Sequence, residues 1–385
     1  MRSVDRKRAF AMVAAMVSSA SVLIAASGIA PAAAEEKLQP MQIRIASDFT
    51  PPPHPAGIAE IYFQEELPKV IPGSSLRIFT AGSLYNIPEA VEAMGDGTLE
   101  MTWGQFGKTA QIDPDMLLVD GPMLLTTPGA MNQLDSFDTY KFLVKRMAKV
   151  HGVKIYGSSH LSMYVGVGAG VRLLKPADFI GKKIRSTGPA ENVALESWGA
   201  SAVTMAFGDV PPALETKVID GLVTSLGGFV STKDQAPYFT IAGINGISGD
   251  YYWLGASEKW LKRYNKRTQD ALQKLIVEKV IPFAKAINWC NDKRVIDKYG
   301  TKDPSKPGIY ILTSAEQAAF AEKLGDATTK WVKSKTPKDV HKWADRFVEQ
   351  ARAASKAHPL GTSALEKTDC SKYQPWFDRF VKKKK

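Results

Sequence analysis

Short apolar strands alternate with helical segments along this chain, and the alternation occurs twice. The first series begins at Met41–Asp48, where apolar and polar residues alternate, and continues with helical spacing at Ala56–Val70. The second includes strand-like segments at Lys183–Arg185 and Ser201–Met205, separated by a helical pattern at Ala190–Trp198. Strands separated by helices form parallel sheets that the helices cover. The sequence therefore predicts two α/β units.

The same patterns predict the remaining elements. Further strands are predicted at Leu76–Thr80, Leu99–Trp103, Val153–Tyr156, Met163–Val167 and Ile219–Thr224, and further helices at Pro88–Met94 and at Val210–Thr216, with Asp209 as its cap. The final third, at Lys259–Asp297 and Ser314–Ala354, has helical periodicity. Two α/β units followed by long helices predict a cleft between lobes, and small molecules commonly bind in such clefts.

The first 34 residues have the order of a secretory signal. Basic residues precede an apolar stretch from Ala9 to Ala30, and Ala32-Ala33-Ala34 stands just before Glu35. We predict cleavage after Ala34, which gives a soluble, periplasmic protein. An uncleaved membrane anchor is the alternative, since the apolar stretch is nearly long enough to span a bilayer.

The formal charge is +11. It falls to +8 once the signal is removed, because Arg2, Arg6, Lys7 and Arg8 leave together with Asp5. Four of the remaining charges form the tail Lys382–Lys385. Basic residues are not interleaved with aromatic ones as a nucleic-acid groove requires, so we expect no nucleic-acid partner.

Cys290 and Cys370 are the two cysteines. In an oxidising compartment, this pair predicts a disulfide that ties the C-terminal segment to the helix around Trp289. Two unpaired thiols are the alternative. Cysteines so far apart, without histidine nearby in sequence, make a poor metal site, and we predict neither a metal nor a cofactor.

Catalytic signatures are scarce in the sequence. It contains no His-Glu-x-x-His helix, no Gly-x-Ser-x-Gly elbow and no phosphate-binding Gly-x-x-x-x-Gly-Lys. The glycines of 166–170 look like a dinucleotide loop, but Pro176 follows instead of a helix, so we interpret them as a strand or bend. For His54 and His160, an exposed loop position and a ligand contact both stay open. We therefore predict no enzymatic activity.

Arg185 ends one of the predicted strands. A guanidinium group is flat and permanently charged, and it matches a carboxylate with two parallel hydrogen bonds. Arg185 is thus a candidate anchor for a small organic acid. The alternative is an ordinary surface salt bridge, because most arginines are exposed.

Several ordered motifs resemble those of the DctP-type solute-binding proteins of tripartite ATP-independent periplasmic (TRAP) transporters. The resemblance runs from Ile45 to about Val332. Its motifs are His54-Pro55, Ala81–Leu84, Glu92–Met101, the central signature Lys175–Arg185, Gly199–Phe207 and Val218–Gly221. The resemblance implies a two-lobe periplasmic-binding-protein-like fold that closes over its ligand, with long C-terminal helices. It also implies membrane permease subunits as partners.

The resemblance also implies domain boundaries. Residues 35–162 and 251–290 would form lobe I, and residues 163–250 and 291–333 would form lobe II. Residues 334–385 would be a helical extension.

The resemblance implies a set of ligand-binding residues, with Arg185 gripping the substrate carboxylate. The candidates are Arg185, Phe207, Thr224, Ser225 and Tyr164 in lobe II, and Ser47, Phe49, Gln105, Lys108 and Trp253 in lobe I. Thr224 stands where the family commonly has asparagine, and Tyr164 lies near the place of a second arginine. Both departures make the pocket less polar and predict a monocarboxylate with an apolar or aromatic body.

Each assignment has an alternative. Phe207, Tyr164 and Trp253 would be core residues, since aromatic residues at strand ends usually are, and Thr224 and Ser225 would cap the next segment. For the whole protein, the alternatives are a sensory binding protein that reports to a membrane receptor and an exported enzyme on the same scaffold.

Overall fold

Two β-sheets and the helices around them form the described part of the chain, residues 36–205, 207–241 and 251–380 of a computed structural model. The strands are β1 (Gln42–Ala46), β2 (Ser75–Phe79), β3 (Met101–Gln105), β4 (Val153–His160), β5 (Val165–Ala169), β6 (Lys183–Ser186), β7 (Ser201–Thr204), β8 (Gly221–Ser225), β9 (Tyr238–Ile241), β10 (Tyr251–Ser257) and β11 (Gly308–Ile311). The helices are α1 (Pro55–Val70), α2 (Ile87–Asp96), α3 (Phe106–Thr109), α4 (Pro128–Met131), α5 (Asp138–His151), α6 (Pro189–Ser197), α7 (Val210–Glu215), α8 (Leu226–Thr232), α9 (Glu258–Leu261), α10 (Lys266–Leu275), α11 (Ile281–Tyr299), α12 (Ser314–Leu324), α13 (Ala327–Lys335), α14 (His341–Ala357) and α15 (Gln374–Asp378). The predicted signal sequence and lysine tail lie outside the described residues.

The first sheet has the strand order β2-β1-β3-β10-β4. Strand β1 runs parallel to β2 and β3, whereas β10 is antiparallel to both of its neighbours, β3 and β4. Helices α1 and α2 join the parallel strands, as the alternation predicts. Local sequence sets the ends of α2: Asn86 and Glu89 form a capping box, and Gly97 takes a left-handed conformation with φ of 77° at the C-cap.

The second sheet has the order β11-β9-β5-β8-β6-β7. Strand β6 runs parallel to β7 and β8, with α6 and α7 as the crossovers, and β5 is antiparallel to β8 and β9. A cluster of rings lies beneath it, in which Phe179, Trp198 and Phe320 pack edge to face. The predicted α/β fold with two lobes is confirmed. The exact lobe boundaries stay a prediction.

The chain passes from the first sheet to the second through residues 161–164, and a buried carboxylate holds this crossing. Asp292 of α11 accepts hydrogen bonds from the Ser162 hydroxyl at 2.9 Å and from the Met163 backbone N–H at 2.6 Å. Burial raises the pKa of Asp292 to about 8. Helix α11 is thereby tied to the crossing between the sheets.

The C-terminal extension packs against the first sheet's side of the molecule. Phe347 of α14 and Phe377 of α15 are buried in the same apolar core as the first sheet. A disulfide joins Cys290 of α11 to Cys370, with 5.4 Å between the two Cα atoms. The predicted bridge is confirmed.

Several details differ from the sequence-based expectations. Helix α5 is not among the predicted elements, although it ends at Gly152 in a left-handed conformation with φ of 61°. Asp209 stands at the N-cap of α7 as predicted, but its backbone is helical and its side chain makes no capping hydrogen bond. Strand β3 begins two residues later than predicted. No helix among the described residues is long and apolar enough to cross a bilayer.

We expect the disulfide to contribute substantially to stability. It closes a loop across a sequence separation of 80 residues, and a bridge of this kind stabilises a folded protein by about 2–4 kcal/mol. Urea unfolding with reductant should therefore show a lower midpoint than unfolding without it. A Cys290→Ala/Cys370→Ala variant should be insensitive to reductant. An unchanged midpoint for the native protein under reduction would contradict the prediction.

Candidate functional site

The carboxyl ends of the parallel strands define one edge in each sheet, and ligands of open α/β sheets bind outside such edges. In the first sheet, Ser47 follows β1 and Gln105 ends β3. In the second sheet, Arg185 lies near the end of β6 and Ser225 ends β8. The two edges come close together near His54, which follows β1. A Cβ added to Gly227, which follows β8, would lie 3.8 Å from the Nε2 atom of His54. The gap between these edges is the candidate site.

Arg185 is buried at this edge and held by backbone carbonyls. Its Nε and Nη2 groups both donate to the carbonyl of Met205 at 3.1 Å, and Nη1 donates to the carbonyl of Val223 at 3.0 Å. Arg185 is only 7% exposed, so it does not lie on the outer surface of the protein. These bonds fix the plane of the guanidinium at this edge of the sheet.

Phe207 lies over Arg185. The guanidinium carbon is 6.0 Å from the centre of the phenyl ring, at the outer limit of a cation–π contact. Phe207 is 37% exposed, whereas most aromatic residues of this chain are buried. The alternative that Phe207 is a core residue is therefore wrong, and its ring is available to cover an apolar group beside the charge.

Two neutral polar residues follow on β8. Ser225 accepts a hydrogen bond from the Gly228 N–H at 3.3 Å, so it caps α8, as the alternative interpretation held. Thr224 lies directly before it and is 5% exposed. A Cβ on Gly228 would lie 1.9 Å from the Thr224 hydroxyl oxygen, so glycine is required at that position.

Tyr164 is at the crossing between the sheets rather than on an open surface. It is 4% exposed, and its ring centre lies 5.7 Å from that of Trp289 on α11. Burial, together with the nearby carboxylate of Asp292, raises the pKa of the Tyr164 phenol. The residue is therefore neutral and adds no charge to the site.

A charged cluster lies where β1 ends. The Lys108 ammonium pairs with the carboxylate of Asp48, and the Gln105 side chain accepts a hydrogen bond from the Lys108 N–H at 3.1 Å. Lys108 is thus already neutralised by a carboxylate of the protein. An anionic ligand would gain less from Lys108 than from an unpaired lysine.

Glu60 of α1 is fully buried beside Ser47. Neither carboxylate oxygen makes a hydrogen bond of standard geometry with the described residues, and the nearby Ser47 hydroxyl offsets only part of the burial. Burial, with a smaller contribution from the carboxylate of Asp48, raises the pKa of Glu60 to about 8. Glu60 is therefore a neutral acid at pH 7. Its position in an ordinary helical pattern gave no signal of this burial.

Phe49 and Tyr252 pack together at the first sheet's edge, with ring centres 4.8 Å apart. Behind them, His160 is 1% exposed, and neither of its ring nitrogens makes a hydrogen bond with the described residues. The cavity that they line, together with Ser159, has a volume of about 10 Å³. That is room for a single water and not for an organic acid. An exposed loop position is therefore wrong for His160, and a ligand contact stays a prediction.

Trp253 is placed in the interior of the first sheet. It is fully buried, and a Cβ on Gly104 would lie 2.1 Å from its ring. The indole therefore fills the space over a glycine of β3. The structure does not bring Trp253 together with Arg185, and its contribution is to core packing.

His54 is the histidine that faces the gap. Its Nδ1 atom accepts a hydrogen bond from the Ala56 N–H at 3.3 Å and so caps α1. Burial lowers the pKa of His54 to about 4, so the ring is neutral at pH 7. Of the described residues, no group of three or more histidine, cysteine, aspartate or glutamate side chains is placed to hold a metal ion.

Residues 46–335 match the model of bacterial extracellular solute-binding protein family 7, named DctP. The chain belongs to this family. The match covers about three quarters of the chain and includes every candidate residue discussed above. The resemblance to DctP-type proteins of TRAP transporters is thereby confirmed.

Curated relatives agree with this membership. The C4-dicarboxylate-binding periplasmic protein DctP of Vibrio cholerae is 26% identical over 235 residues, which are 59% of this chain and 68% of the relative. The 2,3-diketo-L-gulonate-binding periplasmic protein YiaO of Escherichia coli is 24% identical over 274 residues, 70% of this chain and 79% of the relative.

Solved structures have the same fold. A TRAP periplasmic solute-binding protein from Ochrobactrum anthropi superposes with a TM-score of 0.73 and 17% identity, over 84% of this chain and 98% of that protein. One from Desulfovibrio salexigens with bound orotic acid superposes with a TM-score of 0.69 and 18% identity, over 81% of this chain and 99% of that protein. Both likenesses concern the fold.

We predict that Glu60 makes stability depend on pH. Its pKa is about 8 in the folded protein and near 4.5 when unfolded, so the folded state holds a proton that the unfolded state has lost between these values. The free energy of unfolding therefore falls as pH rises through this window, by about 1 kcal/mol per unit between pH 7 and 8 for this group.

Urea unfolding at several pH values measures this slope. Asp292 has a pKa of about 8 and contributes with the same sign, so Glu60→Gln should remove about half of the combined slope. Glu92→Gln, which changes an exposed carboxylate on α2, should leave the slope unchanged. A Glu60→Gln protein with the native slope would show that Glu60 is ionised in the fold.

Proposed function

We propose that this protein captures a small organic acid in the gap between its two sheets and delivers it to the membrane permease subunits of a TRAP transporter. Arg185 would bind the carboxylate of the acid. The observation that carries the proposal is the guanidinium of Arg185, buried at the carboxyl edge of the second sheet and oriented by the carbonyls of Met205 and Val223. Family membership supports it.

The hydrogen-bonded pair of Arg185 and a carboxylate, called the clamp below, is too weak to give tight binding alone, so further contacts are required. A charge-assisted hydrogen-bonded pair contributes about 1.5–3 kcal/mol, whereas micromolar affinity requires about 8 kcal/mol. The exposed ring of Phe207 and the neutral groups of Thr224 and Ser225 lie on the same lobe and would supply part of the difference. Closure of the lobes would exclude water and strengthen the charged contact.

The ligand that fits this lining is a monocarboxylate with an apolar or aromatic body. Lys108 is paired with Asp48, and Tyr164 is neutral where a second arginine is expected in the family. We therefore assign one carboxylate of the ligand to Arg185. The relatives named for C4-dicarboxylates and diketogulonate, and the structure with orotate, all concern organic acids.

The proposal includes a periplasmic location and cleavage after Ala34. The two named relatives are periplasmic proteins, and the signal-like sequence of residues 1–34 accounts for export. The proposal also includes release of the acid unchanged. Its support is the family, because the relatives named above are binding proteins.

Calorimetric titration against a panel of monocarboxylates and dicarboxylates tests the clamp. Arg185→Lys keeps the positive charge but loses the planar fork, so affinity should fall by about 1.5–3 kcal/mol, roughly tenfold to a hundredfold. Arg77→Lys, at an exposed arginine of β2, should bind as the native protein does. Equal affinity in Arg185→Lys, with an unchanged unfolding midpoint, would remove the clamp.

The role of Phe207 predicts a preference rather than a loss of binding. Phe207→Ala should weaken binding of an aromatic monocarboxylate by about 1 kcal/mol, because contact with the ring is lost. Binding of a small aliphatic acid should change less. Competition between benzoate and acetate in the native and variant proteins measures the difference, and an equal loss for both acids would contradict a covering role.

A further inference from the structure

One cavity of the described residues lies away from Arg185. It has a volume of about 780 Å³ and lies beside β4, the edge strand of the first sheet. Helix α5 and the start of α11 form two of its sides, and the C-terminal extension forms another through Leu365, Thr368 and Tyr373. A cavity of this size is within the range of small-molecule sites.

The cavity has an apolar floor, and a disulfide holds one of its walls in place. Ile155, Ile281 and Leu365 line it, and each is less than one-tenth exposed. The wall that contains Thr368 is tied to α11 through the disulfide at Cys370. The cavity therefore offers a preformed surface for an apolar group.

Buried hydroxyl groups lie among these apolar residues. Tyr140 is 5% exposed, and burial together with the neighbouring carboxylate of Asp135 raises the pKa of its phenol. The hydroxyl of Tyr156 is buried and makes no hydrogen bond of standard geometry with the described residues. Both residues line the cavity. Buried polar groups usually have partners, so the Tyr156 hydroxyl points to a polar group of a ligand.

The charge at the rim is positive. Lys141 and Lys145 lie one turn apart on α5, both are exposed, and neither pairs with an acidic residue of the described chain. Like charges at this spacing repel each other. Lys285 also lines the cavity, but Asp135 pairs with it at 2.9 Å. An anion bound between Lys141 and Lys145 would relieve their repulsion.

We propose that this cavity is a second binding site, which takes a small amphipathic carboxylate. Its apolar body lies on Ile155, Ile281 and Leu365, and its carboxylate lies between Lys141 and Lys145. The site shares no lining residue with the gap at Arg185 and does not depend on the organic-acid clamp. It gives the C-terminal extension a function, because the extension forms one wall.

Fluorescence titration with 8-anilinonaphthalene-1-sulfonate, an aromatic anion, tests the site, with decanoate as the competitor. The native protein should bind the dye saturably, and decanoate should displace it. Lys141→Gln/Lys145→Gln should weaken dye binding about tenfold. Ala364→Trp, which places an indole at the cavity wall, should block it. Lys323→Gln/Lys335→Gln removes two exposed charges on α12 and α13 and should have no effect.

Arg185→Lys separates the two sites, since it should leave dye and decanoate binding unchanged. Three results would each overturn the proposal: no saturable dye binding, native affinity in both cavity variants, or loss of dye binding in Arg185→Lys alone. The unfolding midpoint of each variant is measured as a control. A midpoint equal to that of the native protein shows that a loss of dye binding does not result from unfolding.

Discussion

The hydrogen bonds from Arg185 to the carbonyls of Met205 and Val223 fix the charged group on which the proposed function depends. They hold a positively charged plane in place, so binding of the proposed acid would cost less side-chain entropy than binding to a mobile lysine. The two carbonyls belong to β8 and to the residue that follows β7. The packing of the second sheet therefore sets the geometry of the binding group, and the rings around Trp198 support that packing.

Most of the strands and helices that alternate along the chain were predictable from local sequence, although α5 was missed, and the pairing of distant strands was not predictable. Strand β6 and helix α6 follow from periodicity, and the position of Arg185 follows with them. Strand β10 lies between β3 and β4, which are far before it in sequence. Local sequence patterns therefore do not predict this pairing. Glu60 is a further case, because an acidic residue in a helical pattern is usually exposed. Its burial results from how α1 packs against β2 and α11.

Several long-range connections join the parts of the molecule. Asp292 holds the crossing between the two sheets, and the disulfide from Cys290 holds the C-terminal extension on the same helix, α11. Helix α11 thus contacts both the crossing between the sheets and the C-terminal extension. Two buried acids with raised pKa values, Asp292 and Glu60, lie on the helices that pack together beside the first sheet. The cost of burying them is offset by the surrounding core.

A crystal structure with the acid that copurifies with the protein tests most directly whether Arg185 binds a carboxylate. We expect the carboxylate oxygens within about 3 Å of the guanidinium nitrogens, with the body of the acid against the ring of Phe207. An acid bound with its carboxylate away from Arg185, while that side chain keeps its bonds to Met205 and Val223, would contradict the account.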